Sequence, residues 1–237
     1  ADVAIEVFFE VALDPEFSDR VAAGTTSTSS ARDYCVHVDA EGLKAATSYY
    51  YRFWLQGRSS PMGRTRTLST GVTERARFGV CSCASYGAGT FVGYRKLAER
   101  ADLEVVLHLG DYIYEYAGKE GSERFAPPTH VCRSLDDYRT RYSAHRLDLD
   151  LQEVHRQHAF ICVWDDHETA NNANSTGAPA HLVEDGPWSL RKTAAQQAWR
   201  EWIPARVGDD GKIWRQFAFG DLVDLWMLDT RLWNRDK

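Results

Sequence analysis

No apolar stretch in this sequence approaches the length of a membrane-spanning helix, which needs about 20 consecutive apolar residues. No signal sequence opens it either. The chain begins directly in Val3-Ala4-Ile5-Glu6-Val7-Phe8-Phe9-Glu10-Val11, which reads as a strand, so a mature or trimmed N-terminus is expected. Positive charge is not in excess: 28 Lys and Arg stand against 34 Asp and Glu, a formal net charge of -6. That argues against nucleic-acid binding driven by bulk electrostatics. A local basic pocket for one phosphate remains compatible. Arg64, Arg66, Arg139, Arg141 and Arg231 could supply it, with surface solvation the default for most of them. Cysteines are few and odd in number: Cys35, Cys81, Cys83, Cys132 and Cys162 leave at least one outside any intrachain disulfide. Internal repeats and low-complexity segments are lacking too.

What is present is a globular composition. The 237 residues can bury a large core in one or two domains, and 12% of them are aromatic. Up to about residue 70 the pattern is all-β, with candidate strands at 4–13, 34–38 and 49–55 and a Ser/Thr-rich loop at 24–30. A small β-sandwich is the natural expectation. Tyr49-Tyr50-Tyr51-Arg52-Phe53-Trp54 is dense in strand formers and reads as core. From about residue 74 strands alternate with helices, which implies an α/β domain. Strands are expected at 77–82, 104–109 and 159–164, helices at 92–100, 134–145, 150–158 and 189–202, and a hairpin around Gly220-Asp221. Polar loops at 117–133 and from 165 to 187 are long enough to favour a functional role.

The chemistry gathers where the apolar runs stop. Val105-Val106-Leu107-His108-Leu109 ends in Gly110-Asp111-Tyr112-Ile113-Tyr114-Glu115-Tyr116. Phe160-Ile161-Cys162-Val163-Trp164 ends in Asp165-Asp166-His167-Glu168, with Asn171, Asn172 and Asn174 close behind. A third run ends in Cys81-Ser82-Cys83. In α/β proteins the carboxyl ends of strands collect ligands and catalytic groups. Asp111 has two oxygens and suits a bridge between two metal ions. Tyr114 as a phenolate is a hard anionic donor suited to a trivalent ion. The plain alternatives are a turn-capping Asp111 and a core Tyr114, and spacing alone leaves both open. Asp166, or an Asn nearby, suits a hard cation; the alternative is a capping cluster at a strand–helix turn. His167 could serve instead as a proton donor to a leaving group. Cys83 alone reads as an inert buried thiol and gains weight only beside the other two strand ends. His37, His130, His145, His155, His158 and His181 have weak claims.

These motifs, in this order, resemble the PhoD-type family of metallophosphatases, secreted phosphatases and phosphodiesterases with phospholipase D-like members. The matching residues are Ser82-Cys83, Leu109 to Tyr116, Trp164-Asp165-Asp166-His167-Glu168 with Asn171-Asn172, and Leu228-Asp229-Thr230-Arg231. Gly42-Leu43, Tyr49-Tyr50-Tyr51-Arg52-Phe53 and Ser60-Pro61-Met62-Gly63-Arg64-Thr65-Arg66-Thr67 resemble the family's N-terminal β-domain. The resemblance implies an immunoglobulin- or fibronectin-like β-domain over residues 1–72. Over residues 73–237 it implies part of a four-layer α/β metallophosphatase sandwich. It implies a ferric ion held by Cys83, Asp111 and Tyr114. Calcium would be shared by Asp111 and held by Asp166 with Asn171 or Asn172. Asp111, His167 and Arg231 carry the catalytic expectation. The implied substrate is a phosphoester, either a monoester, a diester or a phospholipid headgroup, and the implied location is secreted or periplasmic. A downstream Gly-Asp-x-His motif of the family is not found, since Gly220-Asp221 is followed by Leu222-Val223. A C-terminal remainder of the same protein is therefore an expected partner. The alternative is a non-catalytic binding or scaffold fragment.

Overall fold

The computed structural model describes residues 3–118, 121–208, 210–233 and 235. Strand β1 (Ile5–Ala12) pairs antiparallel with β2 (Arg20–Thr28) on one side and β3 (Ser48–Leu55) on the other. Strand β3 also carries β4 (Arg58–Ser59) and β5 (Gly63–Arg66). Among the described residues this part forms one five-stranded sheet, where two facing sheets were expected. Glu10 is buried within it and accepts from Arg52 Nε at 2.6 Å and Trp54 Nε1 at 2.8 Å. A carboxylate can stay buried there because donors meet its lone pairs.

Two local expectations fail here. The Ser/Thr-rich segment expected as a loop is largely β2: Thr25 and Thr26 sit opposite Phe8 and Val7. Threonine is β-branched and fits a pleated, half-exposed strand as well as a loop. The segment 34–38 forms no strand. Asp33 and Tyr34 have φ of 49° and 58°, so the chain turns just where the strand should begin.

The second part centres on β6 (Phe78–Cys81), β7 (Val105–His108) and β8 (Phe160–Cys162), which are parallel and ordered β6-β7-β8. Every residue of β7 is buried, as expected of the middle strand of a covered parallel sheet. Cys81 is level with His108, and His108 with Cys162. The three carboxyl ends therefore open on the same edge. Helix α1 (Val92–Ala98) joins β6 to β7, and α2 (Leu135–Arg146) and α3 (Leu149–Gln157) join β7 to β8. The expected start of α2 is confirmed: Ser134 accepts from Asp137 N, and Asp137 accepts in return from Ser134 N, a capping box. Helix α4 (Trp188–Trp202) precedes a hairpin of β9 (Arg215–Phe219) and β10 (Val223–Met227), which turns at Gly220-Asp221 as expected. Trp164 and Trp199 meet edge to face at 5.0 Å in the core, bringing α4 onto the end of β8.

The long loop after β7 is tied down by one of the arginines offered for a phosphate pocket. Arg141 is fully buried in α2. Its guanidinium donates to Pro127 O at 3.1 Å, Pro128 O at 2.6 Å and Tyr116 O. Carbonyl partners replace water around a buried cation and leave no free donor fork for a phosphate.

Candidate metal centre

Glycine and aspartate at the end of β7 do separate work. Gly110 has φ 103°, and a Cβ there would lie 2.3 Å from Asp165 N. Only glycine lets the β7 and β8 ends approach this closely in that conformation. Asp111 follows with φ 53°. Its carboxylate is buried and accepts from His167 N at 3.2 Å through Oδ1 and from the Tyr114 hydroxyl at 3.3 Å through Oδ2. The end of β6 joins them through its backbone: Cys83 N donates to Gly110 O at 3.1 Å, and Ala84 N to Asp111 O at 3.0 Å. Cys83 lies beyond the last residue of β6, is exposed and has φ 56°. A left-handed turn thus presents it, and strand alternation does not decide between it and Cys81. Cys81 instead directs its thiol to Leu107 O.

The β8 end supplies the rest. Ligand atoms of Asp111, Asp166 and His167 lie within 4.8 Å of one another. Arg231 clamps Asp165 through Nε at 2.5 Å and Nη2 at 3.1 Å, and its Nη2 is 3.3 Å from Asp166 Oδ1. His167 Nδ1 meets Glu115 Oε2 at 2.7 Å, and its ring lies 4.3 Å from Tyr114 and 5.7 Å from Tyr116. Asn171 N donates to Glu115 Oε1 at 2.8 Å, and Asn172 N donates to Asp166 Oδ2. Both asparagines are exposed, and these contacts use their main-chain N–H, which orients carboxylates and does not ligate a cation.

The electrostatics describe a place that accepts positive charge. Burial, reinforced by the charges of Asp166 and Asp165 and opposed by His167, pushes the Asp111 carboxyl above its usual range. Burial, then the charges of Asp111 and Cys83, pushes the Tyr114 phenol up. Burial alone would lower His167, but the Glu115 hydrogen bond and charge, with Asp111 and Asp166, raise it. Arg231 is raised chiefly by its hydrogen bond to Asp165. Two carboxylates and an imidazole with converging donor atoms, beside a phenol that burial and neighbouring negative charge keep protonated until a cation compensates it, fit a hard or borderline metal ion.

The expected site residues thus come together unevenly. Asp111, Tyr114, Asp166, His167 and Arg231 share one site, Cys83 adjoins it, and Asn171 and Asn172 reach it through their backbone. Of the other candidate arginines, Arg66 pairs with Glu104, Arg139 with Glu201, and Arg64 lies 3.5 Å from Ala101 O. Sequence reasoning missed Glu115 as a partner of His167, Asp165 as the anchor of Arg231, and Glu168. Glu168 is wholly buried, accepts from Tyr112 N at 2.7 Å and Asp165 N at 2.9 Å, and is pushed up to about 8 by burial. Glu115 and His167 stand 52 residues apart, so linear spacing held no sign of the pair.

Comparison with known proteins agrees with this geometry. The model of the PhoD-like phosphatase family matches residues 78–237, and that of the PhoD-like phosphatase N-terminal domain matches residues 1–69. The chain is 36% identical to alkaline phosphatase D of Bacillus subtilis (strain 168), over 99% of this chain and 42% of that protein. It superposes on the solved structure of PhoD with a TM-score of 0.90 and 35% identity, over 98% of this chain and 46% of that one. It therefore spans less than half the length of each of these relatives. A mixed α/β chain with a carboxylate–imidazole cluster at its parallel strand ends, matched along nearly its whole length, belongs to the PhoD-like phosphatase family.

Proposed function

We propose that this chain carries part of a metal-dependent phosphoester hydrolase. A β-domain occupies residues 1–72, and residues 73–237 form the leading part of a four-layer catalytic domain. The observation that carries this reading is the convergence of Asp111, Asp166 and His167 within 4.8 Å beside the Asp165-anchored Arg231. Cys83, Asp111 and Tyr114 would hold a ferric ion. Asp111, Asp166 and Asn171 or Asn172 would hold calcium, the asparagines turning their side chains inward. Bound metal ions would supply Lewis-acid charge toward the phosphoryl oxygens and activate an oxygen nucleophile. Arg231, held rigid by Asp165, places N–H donors where the transition state gathers negative charge. As the imidazolium, His167 gives its Nδ1–H to Glu115 and holds the second proton at Nε2 for the leaving oxygen.

Substrates on this reading are phosphomonoesters, phosphodiesters or phospholipid headgroups, and the enzyme acts outside the cytoplasm. Sequence downstream of this chain would complete the centre, in keeping with the greater length of the relatives. No helix among the described residues is long and apolar enough to cross a membrane. The scaffold alternative is disfavoured by the cluster itself, since a passive surface has no use for buried carboxylates crowded around an imidazole and a guanidinium.

The test is elemental analysis and a visible spectrum of the purified protein, followed by turnover of 4-nitrophenyl phosphate, bis(4-nitrophenyl) phosphate and phosphatidylcholine vesicles. Iron and calcium with a phenolate-to-ferric band are expected. Asp111→Asn should lower turnover by more than the roughly 10–100-fold typical of changes outside the ligand sphere, with folding retained. Undiminished turnover in that variant would overturn the reading.

A further inference from the structure

We propose that Glu115 is the positioning residue for His167, fixing its tautomer and its ring so that Nε2 faces the reacting centre. This inference rests on the hydrolytic reading of the site and adds a residue to it. Glu115 is only 4% exposed, and both of its oxygens are committed. Oε2 lies 2.7 Å from His167 Nδ1, and Oε1 accepts from Asn171 N at 2.8 Å. A carboxylate can only accept, so the proton of the neutral imidazole sits on Nδ1. Nε2 is then the nitrogen whose lone pair takes up the second proton, so the imidazolium presents its transferable proton there. The ring has little freedom to escape this arrangement. Tyr114 and Tyr116 lie 4.3 and 5.7 Å from it, and the His167 main-chain N–H is bound to Asp111 Oδ1 at 3.2 Å.

The topology explains why this glutamate has the task. Asp111 and Glu115 leave the end of β7 on one short segment, and His167 leaves the end of β8. One residue therefore holds the acid in register with the carboxylate four positions before it. The same logic joins a carboxylate to a histidine in hydrolytic triads, where the third group sets the tautomer and takes no proton. Glu115 touches neither substrate nor, in this arrangement, a metal ion. It acts through His167.

The chemical step it serves is a simple hydrolysis. Water adds to phosphorus and gives up a proton to solvent, the phosphorus–oxygen bond to the leaving group breaks, and the imidazolium form of His167 passes its Nε2 proton to the departing oxygen and is reprotonated from solvent. A good leaving group, such as 4-nitrophenolate, needs no such proton, whereas an alkoxide does. Loss of positioning should therefore depend on the leaving group, which a general loosening of the fold would not.

The test has two arms. In the first, long-range proton–nitrogen NMR spectra of the full chain, freed of paramagnetic metal and held at alkaline pH, report the His167 tautomer. The Nδ1–H form is expected in the wild type. Glu115→Gln can keep the Asn171 contact with its amide oxygen while turning its NH2 toward Nδ1, so a shift to the Nε2–H form is expected. In the second arm, Glu115→Gln should lower kcat about 10–100-fold for alkyl phosphoesters and leave the 4-nitrophenyl esters nearly unchanged. A wild-type Nε2–H tautomer would overturn the proposal with no need of a variant, as would equal losses across leaving groups. His167→Asn separates the two levels. If it shows no leaving-group dependence, the proton-donor reading of His167 fails, while the tautomer experiment still decides whether Glu115 sets the ring.

Discussion

Gly110→Ala concentrates the structural reasoning in one atom. The new Cβ would lie 2.3 Å from Asp165 N, 2.5 Å from Asp165 Cβ and 2.8 Å from Trp164 C, on a residue with φ 103°. Two costs follow. A non-glycine residue in such a conformation loses roughly 1–3 kcal/mol, and the clash with a neighbouring backbone adds an overpacking cost of typically about 1–3 kcal/mol. A total on the order of 2–6 kcal/mol is a large share of a domain stability of roughly 5–15 kcal/mol. Gly186 provides the control: it has φ 84°, and a Cβ there meets nothing within 4 Å, so Gly186→Ala should show the conformational cost alone. Urea unfolding followed by tryptophan fluorescence measures both, with Trp164 next to the clash. The same variant should lose turnover by about 100-fold, the scale of a 1 Å misplacement in an active site, because Asp111 and Asp165 are pushed apart. If Gly110→Ala costs no more than Gly186→Ala, the close approach of the β7 and β8 ends is not what glycine provides.

Two further outcomes are expected. Tyr114→Phe should abolish a phenolate-to-ferric absorption band while leaving the fold intact; a variant that keeps the band would remove Tyr114 as a ligand. At the start of α2, hydrogen bonds from Ser134, Arg133 and His130 overcome the effect of burial and hold Asp137 down at about 2. A depressed carboxyl stabilises the fold above its unfolded value of 3.8 and loses that contribution as the pH falls toward 2. Asp137→Asn should therefore flatten stability against pH in that window, and identical acid-unfolding curves for variant and wild type would refute the role of the capping box.

The parallel sheet and its loaded edge were legible because buried strands leave continuous apolar runs, and each run here stops at a polar cluster. The hairpin at Gly220-Asp221 and the Ser134 cap were legible for a similar reason, since local turn and cap chemistry is written in adjacent residues. Strand β2 was hidden because its threonines and serine suit a strand and a loop alike. Segment 34–38 has strand formers, but the left-handed pair Asp33 and Tyr34 turns the chain away, and no local pattern announces that. Arg141 was offered for a phosphate pocket and instead holds a loop, because the carbonyls that bind it come from 13 to 25 residues away. Asp111, Tyr114, Asp166 and His167 were found as residue types at strand ends, and Arg231 through the family resemblance of its segment. Their anchors Glu115, Asp165 and Glu168 were not, because anchoring is a relation across the sheet.

Cys83, Asp111 and Asn172 are all left-handed; Cys83 and Asp111 stand just past the ends of β6 and β7, and Asn172 in the loop after β8. Side chains other than glycine are disfavoured there. The chain therefore holds two of its candidate ligands, Cys83 and Asp111, at positions where its own backbone would prefer no side chain. The PhoD-like centre is thus a place where thermostability and turnover draw on the same few backbone angles, and engineering for endurance must leave them alone.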